Sequence, residues 1–147
     1  METTLVLLKP DTIDRWLIGK VISRVESKWL KISWLKMMKL SESIINEHYD
    51  FLMDKPFFPS IKSYMTRTPV VAIAISWLDA IKTVRNLTGA TNPAEALPGS
   101  IRGDFALTIN WNIIHASDSL ETAEKELKRF FGDKDIFDYE RVIDKII

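Results

Sequence analysis

PVVAIAI, residues 69–75, is a continuous apolar run with no polar alternation. A strand with one wet face would alternate, so this run reads as a central strand of a sheet. The flanks can be read outward from it. Upstream, Lys55-Pro56-Phe57-Phe58-Pro59 is a punctuated turn that leads into a short helix through Ile61 and Met65. Before that, Glu42–Met53 carries Ile44, Ile45, Tyr49 and Leu52 on one helical stripe. Lys31–Leu40 alternates imperfectly through Ile32, Trp34 and Met38, as a strand would. Gly19–Lys28 spaces Val21, Ile22 and Val25 as a helix. Thr4–Leu8 is a buried strand stopped by Lys9-Pro10, which leaves Lys9 where the chain exits the sheet.

Downstream, Ser76 with Asp79 three residues on predicts a capping box for a helix bearing Leu78, Ile81, Val84 and Leu87. Gly89–Asp104 is rich in Gly, Pro, Asn and Thr and reads as loop. Phe105–Asn110 reads as the last strand, and Ser119–Phe131 as a helix with Leu120, Ala123, Leu127 and Phe130 inward. The order predicts a compact α+β sandwich, with helices on one face of a largely antiparallel four-stranded sheet. A long Pro/Gly loop in so small a domain points to function.

The chain has 147 residues, enough for one domain with one good core, so 1–147 is expected to be a single unit. Lys+Arg and Asp+Glu balance at 20 each, which argues against broad binding to nucleic acid or to an anionic membrane. There is no cysteine, so disulfides, thiolate catalysis and Cys-ligated metals are excluded. No apolar run approaches the roughly 20 residues that span a bilayer. The start METTLVLLKPD has no basic n-region, and a cytoplasmic protein is expected.

His115 is one of only two histidines, and it stands in NIIHASDS, 112–119, just before a helix start. Asp118 or Ser119 can cap that helix, whose N-terminus favours an anion. Glu126 follows Ser119 by two turns and can look back toward His115, fixing its tautomer. A neutral imidazole so held is a competent nucleophile. From spacing alone, a partly buried histidine bonded to Ser117 or Asp118 is the simpler reading. Lys9, Arg85, Thr91, Asn92 and Arg102 each have an ordinary surface or turn explanation. If they converge, they make a cationic pocket for phosphates. Neither GxxxxGK[ST] nor GxGxxG is present, so phosphates would be held by side chains.

TLVLLKPD at 4–11, EHY at 47–49, KPFFP at 55–59, PVVA at 69–72, GATNPAEALPGSIRGDFA at 89–106 and NIIHASDS followed by ETAEKEL occur in order over nearly the whole chain. In these pieces the sequence closely resembles the nucleoside diphosphate kinases. The resemblance implies a ferredoxin-like α+β sandwich and a ping-pong phosphotransferase in which His115 carries phosphate on Nδ1 between nucleoside tri- and diphosphates. It implies that Arg85, Thr91 and Arg102 hold phosphates, and that Tyr49 sits near the transferred group. Lys9 and Asn112 would bond the ribose and phosphate end, and Phe57 and Ile109 would sandwich the base. Glu126 and Ser117 would support His115. Mg2+ would arrive bridging the phosphates, with no dedicated protein ligands. The loop from about Thr91 to Asn112 and a tail extension over about 132–147 imply a homo-oligomer, expected to be a hexamer, with tetramers known in the family. The alternative is a catalytically silent relative that binds nucleotides as a scaffold; such a relative would be expected to lose His115, Arg102 or Lys9, and all three are present.

The tryptophans depart from this pattern. Trp16, Trp29, Trp34 and Trp77 fall where relatives commonly carry glycine, and Trp111 is unusual beside Asn112. Trp29 follows a helix at the place where a left-handed residue belongs. Either packing has compensated, or some of these positions are glycine in the source organism, through a codon read there as glycine and here as tryptophan. If the tryptophans are native, Trp16 and Trp77 are expected to be partly exposed loop residues.

Overall fold

The computed structural model describes residues 1–132 and 136–146. Four strands form one antiparallel sheet: β1 (Glu2–Leu8), β2 (Lys31–Met38), β3 (Val70–Trp77) and β4 (Ile114–Ala116), in the order β2-β3-β1-β4. Seven α-helices complete the described fold: α1 (Pro10–Asp14), α2 (Ile18–Ser27), α3 (Glu42–His48), α4 (Phe58–Thr66), α5 (Ala80–Thr88), α6 (Ile101–Phe105) and α7 (Leu120–Phe131). The fold is the ferredoxin-like α+β sandwich.

Helices cover both faces of the sheet, not one. Side chains alternate across a strand. Val6, Leu8, Ile73 and Ile75 therefore enter one core, with Val21, Val25 and Val84 of α2 and α5. Leu5, Leu7, Ala72 and Ala74 enter a second, with Ile45, Met65 and Phe130 of α3, α4 and α7. That double burial is why the β3 sequence is apolar without a break.

Four local readings need correction. The final strand is Ile114–Ala116, not Phe105–Asn110. The place beside β1 is taken by Val6↔Ala116 and Leu8↔Ile114 pairing, and Leu107 and Ile109 are left exposed. The Gly89–Asp104 segment contains α6 and a 3-10 turn at Pro93–Glu95. Ser100 caps α6 by accepting from the Gly103 N–H at 3.0 Å, and a side chain at Gly103 would collide with the Leu97 carbonyl. The Glu42–Met53 helix stops at His48 and continues as a 3-10 turn, Asp50–Leu52. Finally, Ser76 caps nothing. It lies in β3, bonded to the hydroxyls of Thr3 and Ser33, while the Ile81 N–H at the α5 start donates to the Glu2 carboxylate.

Trp16 and Trp29 both adopt left-handed backbone, with φ of 54° and 62°, in the turns after α1 and α2. Trp16 is 90% exposed and Trp29 55%. Trp77 is not in a loop: it ends β3, half-buried beneath the Arg141 guanidinium. Trp34 sits at an irregularity in β2, its ring against Phe131 and Phe137. Of the expected tail over 132–147, residues 133–135 and 147 lie outside the described residues. The rest runs along β2: the Phe137 N–H donates to Ser33 O, the Tyr139 hydroxyl to Ile32 O, and Arg141 to Trp29 O. Among the described residues no helix is long and apolar enough to cross a membrane.

Candidate active site

His115 is the middle residue of β4, paired with Leu7 of β1. Its Nε2 lies 2.9 and 3.0 Å from the two carboxylate oxygens of Glu126, on α7. Two features aim that carboxylate. Ser119 starts α7 by accepting from the Thr122 N–H, and Ala123, Phe130 and Phe131 anchor the helix in the core. Ser117 Oγ then donates to Glu126 Oε2 at 2.5 Å. Burial pushes the Glu126 carboxyl up, but the hydrogen bond and charge of His115, with the Ser117 bond, outweigh it and hold the group below its ordinary value. An ionised Glu126 fixes the His115 proton on Nε2 and leaves Nδ1 with its lone pair.

The turn before β4 is strained. Ile113 is β-branched yet has φ 72°, a conformation that costs on the order of 1–3 kcal/mol. Buried bonds hold it there. Its N–H donates to Asp11 Oδ2 at 3.0 Å, and its carbonyl accepts from the Lys9 N–H at 2.8 Å and the Thr12 hydroxyl at 2.6 Å. Asp11 also accepts from the Tyr64 hydroxyl. Arg102 is buried and donates to the carbonyls of Gly89, Asn112 and Ile114. Burial, then the charge of Arg85, lowers its pKa to about 10.

Asn112 joins the turn to an adjoining cleft. Its Oδ1 accepts from Lys9 Nζ at 2.7 Å, and its Nδ2 donates to Thr91 O. Burial, with Arg102 adding to it and Asp11 opposing, brings Lys9 down to about 8. Arg85 donates to Ala116 O, next to His115, and its side chain is otherwise open to solvent. A cleft of about 410 Å³ opens beside Lys9, with Tyr49, Phe57, Tyr64, Ile109 and Trp111 around it. Burial and the nearby Glu126 charge raise the Tyr49 phenol well above its ordinary value.

The expected residues therefore form three joined groups. His115, Glu126 and Ser117 are one hydrogen-bonded chain. Lys9, Asn112, Thr91 and Arg102 are a second, knotted around the 112–114 turn. Lys9, Tyr49, Phe57 and Ile109 line the cleft. Arg85 meets the first group only through a backbone carbonyl. The sequence reading missed His48, Asp11 and Tyr64. The His48 ring stands edge-on to that of His115, centroids 4.8 Å apart, and its Nδ1 accepts from Arg129 Nη1 at 3.0 Å. Burial, then the neighbouring His115, lowers its pKa to about 3. Its signal was available: His48 follows Ile45 by three residues and so lies on the inward stripe of α3.

Comparison with known proteins agrees in family and fold. A family model described as nucleoside diphosphate kinase matches residues 2–136. A nucleoside diphosphate kinase of Parabacteroides distasonis is 52% identical over 140 residues, covering 95% of this chain and 92% of that one. One from Pyrococcus abyssi is 49% identical over 146 residues, covering 97% and 92%. The structure of a halophilic nucleoside diphosphate kinase from Halobacterium salinarum, in complex with CDP, matches with a TM-score of 0.94 at 39% identity, over 99% of this chain and 97% of that one.

Proposed function

The chain belongs to the nucleoside diphosphate kinase family, and from that premise we propose that it works by a ping-pong exchange carried on His115. The Nδ1 lone pair attacks the γ-phosphorus of a nucleoside triphosphate. The bond to the bridging oxygen breaks, and the nucleoside diphosphate leaves with that electron pair. The ring, now phosphorylated on Nδ1, gains positive charge while its Nε2–H stays on Glu126. A second nucleoside diphosphate then attacks the phosphorus through its terminal oxygen, the P–N bond breaks, and the neutral ring returns. The observation that carries this reading is the two-oxygen grip of Glu126 on Nε2. It sets the tautomer before the attack and stabilises the charge formed during it.

The remaining roles follow the groups described above. Arg85, Thr91 and Arg102 are proposed to bind phosphates, with Lys9 and Asn112 at the ribose and phosphate end and Tyr49 near the transferred group. Phe57 and Ile109 are proposed to flank the base, a stacking contact that suits any base. Glu126 and Asp11 are both engaged, by His115 and Ser117 and by Ile113 and Tyr64 respectively. A hard cation therefore fits best held by phosphate oxygens, where Mg2+ would neutralise their charge. Exposed Leu97 and Leu107 in the 91–112 segment support a homo-oligomer, proposed to be a cytoplasmic hexamer, and sedimentation will give its size. We also propose that 1–147 is one domain.

The test is incubation with γ-labelled ATP without an acceptor. One acid-labile, base-stable phosphate should appear on His115 and discharge on adding GDP. The variant His115→Ala should bind nucleotide and lose exchange. Retained turnover in that variant would overturn the mechanism.

A further inference from the structure

Both histidines of the chain meet at one carboxylate. His48 Nδ1 lies 3.8 Å and His115 Nε2 2.9 Å from the same oxygen, Glu126 Oε1. One ligand atom from each of the three residues lies within 4.8 Å of the other two, and among the described residues no other group of this kind occurs. With no cysteine and only two histidines in the sequence, this is where the chain can offer more than one nitrogen or sulfur donor of the kind that zinc-class cations prefer. Such a cation binds histidine and carboxylate at about 2.0–2.2 Å, which brings tetrahedral ligand atoms to about 3.3 Å apart. The cluster needs to contract, with His48 Nδ1 released from Arg129 and His115 Nε2 from its proton.

A second opening, on the side of α3 and α7, reaches His48 and Glu126 of the cluster. This cavity, about 370 Å³, has Glu47, Asp50, Asp118 and Glu126 around it, against the cations Lys125 and Arg129. Its acidic lining favours entry of a divalent cation. Arg129 now donates to His48 Nδ1, but its Nε lies 3.1 Å from Glu47 Oε1, which can retain the guanidinium when His48 turns to a metal.

We propose that His48, His115 and Glu126 form an inhibitory site for a borderline divalent cation of the zinc class. The chemistry of inhibition follows from the imidazole. A neutral ring carries one proton, and a metal needs the lone pair of the nitrogen it binds. Metal at Nε2 of His115 moves the ring proton to Nδ1 through solvent. The atom that attacks the γ-phosphate then has no lone pair, and Glu126 is withdrawn as well. The site is distinct in kind from that of Mg2+, which takes oxygen ligands and travels with the phosphates. The inhibitory effect rests on His115 being the phosphate acceptor; the binding itself does not.

The experiment uses the full chain without nucleotide. Zinc is titrated while the imidazole 15N resonances are followed, and with two histidines in the chain every signal is assignable. His48 Nδ1 and His115 Nε2 should both shift to metal-bound positions at one zinc per chain. Phosphorylation of His115 by ATP with Mg2+ should then slow at least tenfold, and recover when a chelator that spares magnesium is added. His48→Gln should weaken zinc binding at least tenfold. Zinc that leaves both ring signals unmoved, or that inhibits wild type and His48→Gln at the same concentration, would overturn the site. Ring shifts without any phosphorylation of His115 in zinc-free protein would leave the site standing and remove the phosphohistidine mechanism instead.

Discussion

The turn before His115 and the cleft beside Lys9, the two ends of the proposed nucleotide site, are built on opposite plans. At the His115 end, strained Ile113 and its neighbours are held by Asp11, Thr12, Lys9 and Arg102 through short buried bonds. At the other end stand Phe57, Ile109 and Trp111, each about half exposed, with Trp111 stacked on Tyr64. The difference matches two demands. Phosphoryl transfer needs atoms held to a fraction of an ångström. A base that only stacks needs a flat apolar surface and tolerates slack. Asp11 links the plans, since one carboxylate bonds both Ile113 and Tyr64.

The fixed end should make the fold acid-sensitive, because it is where the buried histidine lies. His48 in the folded chain takes its proton only near pH 3, against 6.5 for the ordinary ring. Between these values the unfolded chain binds more protons, so stability falls as pH drops through that window. The loss should be on the order of 3 kcal/mol. Glu126, held below its ordinary value, adds to the loss in the lower part of the same window. Denaturant melts from pH 7 to 4 will show the slope, and His48→Gln should flatten it. An unchanged slope in that variant would move the acid sensitivity away from the His115 end.

Next in size is release of the strained turn. Asp11→Ala leaves the buried Ile113 N–H without its acceptor, an expense of about 1–3 kcal/mol in stability. It also lets Asn112 and His115 shift. The expected outcome is a fall of about 100-fold in kcat with KM little changed, since misplacement by about 1 Å has that effect. Asp11→Asn keeps an acceptor and should recover part of the rate. A change confined to KM would erase the distinction between the two ends.

Phe57→Ala tests the slack end. Loss of a stacking face is worth about 1–3 kcal/mol per base, so KM should rise roughly 5- to 150-fold while kcat holds. The rise should be similar for purine and pyrimidine substrates. Strong inequality among bases would mean that this end reads base edges after all.

The contrast also explains what could be read from the sequence. β1, β3 and α7 were legible because burial on one or two faces writes a period into the residues. The His115–Glu126 pair was legible because two helical turns separate Ser119 from Glu126. The left-handed turn at Ile113 was not: nothing in the letters NII marks a β-branched residue forced to positive φ by bonds from residues about 100 positions away. The 105–110 strand failed for a related reason. Leu107 and Ile109 alternate like a strand, yet they serve the exposed wall of the cleft and the exterior. The stripe of α3 marks His48 as inward-facing but not its role, because its partners, Arg129 and Glu126, come from a distant helix.

The smallest expected effect concerns strain that lies outside both ends. Trp16 and Trp29 are left-handed in exposed turns, where a non-glycine residue costs about 1–2 kcal/mol and glycine gives back about 0.5–1 in chain entropy. Trp16→Gly and Trp29→Gly should therefore each stabilise the fold by roughly 0.5–1 kcal/mol, read by chemical denaturation, with kcat and KM unmoved. Trp34→Gly should do the reverse, because its ring packs on Phe131 and Phe137 and its backbone is not left-handed. If glycine is the residue made in the source organism, peptide sequencing of the protein purified from it will show glycine at 16 and 29, where the backbone asks for it. Tryptophan at all five positions would reject that reading, and the two turns would then carry their strain natively.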